Sequence, residues 1–266
     1  MKIINKQLRE TADINASRGS ALGEFLKLVI SAVVLLVALF FITGFLVDTI
    51  VTRISFETEA RLFKALPLPA ATPQSAGLSD YDSRMKKIRK ILDTLKKNDI
   101  VPPLPFHLVL ITQKDPNAFA FPGGSIGITT GLLDVLTDDI AIAFVLGHEL
   151  GHFKNRDHLR GMGRAIGFSV LTAAIFGSSI GADSFGGILK MVIQRRYSQE
   201  CEKKADRFGL KLVHSVYGTV NGTQRLFEIL RDRNKIRRWA YMLATHPSPE
   251  ERIRDMEVYA KKLAEP

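Results

Sequence analysis

Cysteine is almost absent from this chain: Cys201 is the only one in 266 residues. That excludes an internal disulfide and any metal cluster built on cysteine thiolates. Imidazole is scarce too, with 6 histidines, so chemistry that needs several of them must draw on a short set of positions. Negative charge is the minority sign, 27 acidic against 37 basic side chains, for a net charge of +10. Basic clusters at residues 86–97 and 231–238 have the composition of a nucleic-acid surface, of a surface for anionic lipid, or of plain solvated helix faces. No internal repeat is visible.

Long apolar runs are few, and one stands out. Residues 28–47 form 20 consecutive positions without a charge, enough for one helix to cross a hydrocarbon layer of about 30 Å. A signal peptide has an apolar region of only about 7–15 residues and a nearby small-residue cleavage site, so this run reads as a retained transmembrane anchor. The charges flanking it lean slightly towards a cytoplasmic N-terminus. In a bacterium that places the rest of the chain on the periplasmic face of the inner membrane. An anchored protein also argues for lipid, and against nucleic acid, as the partner of the basic clusters. A second apolar stretch, residues 165–181, is borderline in length; a hairpin that covers a site or dips into the lipid surface is the expectation there, with glycines permitting its turns.

His148-Glu149-Leu150-Gly151-His152 carries the chemistry. Two histidines four apart on a helix share a face and can grip one metal ion, and the glutamate after the first can take a proton from a metal-bound water. Asp138 and Asp139 sit where acids favour a helix start, followed by the apolar run Ile140 to Leu146, so the motif lies on a buried helix. Buried histidines beside a buried glutamate need compensation, and a metal supplies it. Catalytic zinc usually has three protein ligands and an open position, which directs attention to acids downstream. In the stretch 197–206, Glu202 and Asp206 lie one helical turn apart. Glu202 can bind metal while Asp206 orients an imidazole, or both can belong to an ordinary solvated face.

Three stretches in order, HELGH, YSQECEKKADRFG and THPSPEERI, resemble the HtpX and CAAX-prenyl-protease-like family of membrane-associated zinc metallopeptidases, the Oma-type and BepA/LoiP-type enzymes being nearer relatives. The resemblance covers residues 80–255 approximately. It implies one Zn2+ per chain held by His148, His152 and Glu202, with Glu149 as base and Asp206 as the carboxylate supporting Glu202. It also implies that Asn117, Ala118 and Phe119 belong to a strand pair preceding the active-site helix, where an extended substrate could add itself to the strand edge. Gln199 and Lys204 depart from the family's usual arginine and glutamate. Arg156 is followed by Asp157 and only then by His158, so His158 is not carried over as functional. His246 precedes a helix start built from Ser248, Pro249 and Glu251; it is either a structural histidine before a cap or a group near the metal that assists the oxyanion or fills the open position.

The expected architecture is therefore mainly α with a small β-sheet, an α+β zincin-like metallopeptidase domain with one N-terminal transmembrane helix. Residues 1–27 form a cytoplasmic segment, 28–47 the anchor, 48–77 a juxtamembrane segment and linker, and 78–266 the enzyme. Strands are expected near residues 106–112 and 125–129, after a helix carrying Tyr81, Met85, Ile88, Leu92 and Leu95 at helical spacing. The function expected is a membrane-anchored endopeptidase acting on misfolded or membrane polypeptides in protein quality control. The alternative is a membrane-tethered binding or chaperone-like protein whose zinc is structural or gated by His246. His107 reads as an outward strand position, and Cys201 as a small residue on the inner face of its helix.

Overall fold

The structure, a computed structural model, describes residues 21–64, 78–177, 198–225 and 249–264. Helix α1, Ala21–Arg53, is 33 residues long, about 50 Å at 1.5 Å per residue, and is long and apolar enough to cross a membrane. It exceeds the apolar run at both ends because no proline falls between Ala21 and Arg53; Ile54 and Ser55 end it. Ser55 then starts a new helix, its hydroxyl accepting from the Thr58 N–H at 3.0 Å. This is α2, Phe56–Phe63. By Cα packing the chain divides into residues 1–44 and residues 45–266, and all the elements after α1 lie in the second unit.

Helix α3, Leu78–Leu95, buries Met85, Ile88, Leu92 and Leu95, as their spacing predicts. Strands β1, His107–Ile111, β2, Ala118–Phe121, and β3, Ser125–Thr129, form a sheet in the order β1-β3-β2. β1 runs parallel to β3 with His107 opposite Ser125, and β2 runs antiparallel to it with Phe119 opposite Gly127. His107 is exposed at the outer end of its strand, with Nε2 2.8 Å from Ser125 Oγ. Thr129 closes β3 and caps the short helix α4, Thr130–Val135. Its hydroxyl accepts from the Leu132 N–H at 3.1 Å and the Asn117 N–H at 2.8 Å, and donates to the Asn117 carbonyl.

Helix α5, Asp139–Asn155, is buried without interruption from Ala141 to Phe153, the signature of a core helix. Asp138 caps it, accepting from the Ala141 N–H at 2.8 Å. Arg156, at φ 62°, ends it in the left-handed conformation, and α6, Asp157–Phe176, leaves from the same joint. The apolar stretch expected to form a hairpin from residue 165 is instead, as far as Phe176, the second half of this one helix; the four-residue hydrogen bonds simply continue past Arg164. Gly177 ends it at φ 69°, and the remaining glycines lie outside the described residues. Helix α7, Gln199–Tyr217, capped by Ser198, packs along α5, and α8, Pro249–Ala264, packs on α7 through Met256 and Arg252.

Candidate metal centre

Helices α5 and α7 cross without side chains between them at two points. A Cβ on Gly151 would lie 2.8 Å from the Cα of Ala205, and one on Gly147 would lie 3.0 Å from the Cα of Gly209. Gly147 and Gly151 are one turn apart, as are Ala205 and Gly209, so small residues face each other along the crossing. This close approach is what lets carboxylates on α7 reach imidazoles on α5. We expect Gly151→Ala to cost about 1–3 kcal/mol as overpacking against backbone that cannot rotate away. It should also weaken metal retention by spreading the helices, which zinc titration of the folded variant would measure.

At the crossing His148 Nε2 stands 3.0 Å from His152 Nε2. Glu202 lies 3.6 Å from the first and 3.5 Å from the second, and one donor atom from each residue falls within 4.8 Å of the others. All three residues are buried. The far side of each imidazole is occupied: His148 Nδ1 is 2.8 Å from Asp206 Oδ1, and His152 Nδ1 is 3.0 Å from Asp157 Oδ2. An ionised carboxylate can only accept, so each Nδ1 carries the proton and each Nε2 turns a lone pair inward. Arg252, also buried, forks onto Asp206 with Nε and Nη2 at 2.8 and 2.7 Å and places Nη1 2.9 Å from Glu202. Glu149 follows His148 on the same helix and is itself buried.

The residues fit a zinc ion on two counts. Tetrahedral coordination at 2.0–2.1 Å separates ligand atoms by about 3.3 Å; the two Nε2 atoms are 3.0 Å apart, and each has a Glu202 oxygen near that separation, Oε2 at 3.6 Å from His148 and Oε1 at 3.5 Å from His152. The charge also asks for a cation: Glu149, Glu202, Asp157 and Asp206 are all buried here, and Arg252 is the cation forked onto two of them. Burial works against a charged His152, yet the bonds to Asp157 and Glu202 and the charges of Glu202 and Glu149 push its pKa up to about 10. Burial and the neighbouring His152 hold His148 below its ordinary value despite Asp206 and Glu202. The same carboxylates that favour positive charge on His152 would favour a divalent cation between the rings.

Of the residues named from sequence, His148, Glu149, His152, Glu202 and Asp206 are brought together. Asp206 meets the His148 ring, the place expected of a carboxylate that orients an imidazole, and also Arg252. Asn117, Ala118 and Phe119 are buried in and beside β2. His246 lies outside the described residues. Cys201 is half-buried beside Asp157, and burial together with that carboxylate pushes its thiol up, away from the reactive thiolate. Two residues are not legible in the sequence. Two metal-binding imidazoles need two Nδ1 acceptors, and only Asp206 was available for the task; Asp157, five residues after His152, is the other. Arg252 stands in the THPSPEERI stretch, and buried acids at positions 202 and 206 were the signal for a nearby cation.

A family model, Peptidase family M48, matches residues 82–260. The chain is similar to Metalloprotease LoiP of Escherichia coli (strain K12), 30% identical over 178 residues, which is 64% of this chain and 69% of that protein. It is similar to Metalloendopeptidase OMA1, mitochondrial, of Danio rerio, 25% identical over 201 residues, 68% of this chain and 41% of the relative. Similarity to the Beta-barrel assembly-enhancing protease of Escherichia coli (strain K12) is 28% over 171 residues, 60% of this chain and 35% of the relative. The chain thus spans less than half the length of the latter two.

Proposed function

The chain belongs to peptidase family M48, and on that premise we propose that it is a membrane-anchored zinc endopeptidase that hydrolyses polypeptides. The observation that carries this reading is the meeting of His148 Nε2 and His152 Nε2, on the helix that also bears Glu149, with the carboxylate of Glu202 from α7. His148, His152 and Glu202 would hold a zinc ion, which when bound would supply Lewis-acid activation of the scissile carbonyl and of water. Asp206 and Asp157 hold the two imidazoles in the tautomer and ring orientation that ligation needs. Arg252 holds Asp206 and Glu202 in turn. The Glu149 carboxylate takes the proton from the water and passes it to the leaving amine. A purely structural site needs no such base, and closed structural zinc sites usually contain cysteine, so these residues favour the enzyme over the binding-protein alternative.

The substrate is proposed to lie along β2, which borders the described sheet on the side away from β3. The Thr129 N–H donates to the Asn117 carbonyl, and antiparallel pairs alternate. Asn117, Phe119 and Phe121 therefore turn their backbone groups towards β3, and Ala118 and Ala120 turn theirs to the outer edge. The Ala118 N–H is taken by Asn117 Oδ1 at 2.9 Å, which leaves the N–H of Ala120, buried among the described residues, as the outer-edge donor proposed for a paired peptide. We expect Ala120→Pro to raise KM for an extended peptide about tenfold with zinc content unchanged, since an edge strand tolerates proline where no ladder bond is lost. Phe119→Pro removes a bond to β3 and is expected to cost folding instead.

The apolar helix α1 supports attachment to a membrane, and its flanking charges support a catalytic domain on the periplasmic side of a bacterial inner membrane. A tethered enzyme that reads backbone rather than side chains suits misfolded or membrane-bound polypeptides, a quality-control role. The test is the full chain in detergent: about one zinc per chain, and casein cleavage abolished by a chelator and restored by zinc. Bound zinc with no cleavage of casein or of any unfolded membrane protein would sink the endopeptidase reading in favour of the binding one.

A further inference from the structure

A second buried cluster of charge lies where α2 meets the enzyme. Glu59 is 0% exposed. Its Oε1 accepts from the Gly123 N–H at 3.0 Å and lies 2.7 Å from His158 Nε2, and its Oε2 meets the Arg156 guanidinium. Arg156 also donates Nη2 to the Ile54 carbonyl at 2.8 Å and stacks 3.6 Å above the Phe56 ring. Burying a carboxylate is costly without such partners, and nothing in the position of Glu59 in the sequence announces them. It also lies outside the residues that match the family.

The partners share a location. Arg156, Asp157 and His158 are consecutive at the joint between α5 and α6. Arg156 holds a left-handed backbone that a side-chain-bearing residue adopts only when its surroundings impose it. Asp157 bonds to His152 Nδ1, and His158 Nδ1 lies 3.4 Å from the His152 carbonyl. On the other side Gly123, at φ 86°, opens the turn from β2 to β3, and a Cβ there would lie 2.9 Å from the Phe63 Cβ. One carboxylate on α2 thus grips both the joint behind a metal-binding imidazole and the turn that ends the edge strand. Two residues, Ile54 and Ser55, separate that helix from the apolar one.

We propose that Glu59 is a positioning residue of the metal centre: it fixes Arg156 and His158, these set Asp157, and Asp157 sets the ring of His152. The juxtamembrane helix is then a working part of the enzyme, and a fragment beginning after residue 64 would deprive Arg156 and the buried His158 of their carboxylate. This rests on the zinc reading of the site.

The test uses the full chain in detergent. It compares wild type, Glu59→Gln, and Leu95→Ala as a core variant of lowered melting temperature remote from the joint. Zinc release to a chromogenic chelator is followed, together with kcat and KM on casein. We expect Glu59→Gln to release zinc about tenfold faster, as loss of an outer support of a metal ligand does, and to lower kcat with KM unchanged. Leu95→Ala should release zinc at nearly the wild-type rate. Wild-type release from Glu59→Gln, or release no faster than from Leu95→Ala at matched loss of melting temperature, overturns the proposal. Should Glu59→Gln not fold, Arg156→Lys, which keeps the charge but loses the fork, takes its place: faster release supports the proposal and wild-type release overturns it. Wild type that binds no zinc would remove the metal reading itself, and the inference with it; wild type that binds and cleaves while Glu59→Gln matches it removes the inference alone.

Discussion

Glu149→Gln should lower kcat for peptide hydrolysis between about 10²- and 10⁴-fold, the range that a positioned general base contributes, while the protein keeps its zinc. Glutamine has the shape of glutamate and cannot take the proton. Glu149 is not among the three donors that converge, so metal content is expected to stay at the wild-type level. The variant's melting temperature should hold or rise, because one of four buried carboxylates at the site loses its charge and like charges in a low-dielectric interior oppose folding. Zinc analysis and kcat on one preparation decide between the roles. Residual activity above a tenth of wild type would place the base elsewhere, and loss of zinc would make Glu149 a ligand.

Arg252→Met should be strongly destabilising. The guanidinium is buried among Asp206 and Glu202. Burial works to lower its pKa, yet those carboxylates together with Glu149 hold it above the ordinary arginine value. Removing one partner of a buried ion network costs about 3–5 kcal/mol, because the other charge stays behind uncompensated. In a chain of this size that lowers the melting temperature by roughly 10 °C. The penalty should be larger after chelation, since bound zinc still partners Glu202. It should also depend on pH. Burial alone would raise the pKa of Asp206, but Arg252 and His148 outweigh it and hold it below the ordinary carboxylate value. A carboxylate of depressed folded pKa stabilises above its unfolded pKa of about 4, and that contribution is lost as pH falls through the folded value. Wild type therefore loses stability in acid that the variant never had, and the gap between the two narrows as pH falls. A gap of constant width from neutral pH into acid would mean that Arg252 acts by packing alone.

The elements that depend on neighbours close in the chain were legible. Asp138 and Ser198 cap the two metal-binding helices, the apolar spacing of α3 predicts its buried face, and β1 and β3 fall within the expected ranges because each is set by short-range pattern and capping chemistry. The pair His148 and His152 was legible for the same reason, as four residues on a helix fix a shared face. Glu202 needed the family resemblance, since an acid on an amphipathic helix has the same local pattern whether it faces water or a metal. Asp157 and Arg252 could be inferred only as requirements, an acceptor for a second Nδ1 and a cation for buried acids, with no spacing to assign them.

Sequence by itself pointed to the histidine pair and the glutamate between them, the apolar helix and the mainly helical class, and excluded an internal disulfide or a cysteine metal cluster, because these follow from composition and from separations of a few residues. Tertiary structure decided which imidazole each carboxylate holds, that Arg252 closes the network, and that Glu59 reaches 97 residues along the chain to Arg156. Those assignments depend on how closely α5 and α7 approach and on where α2 lands. Helix contact distance is set by the absence of side chains at Gly147, Gly151, Ala205 and Gly209 acting jointly, and no local pattern encodes a joint condition on two distant segments.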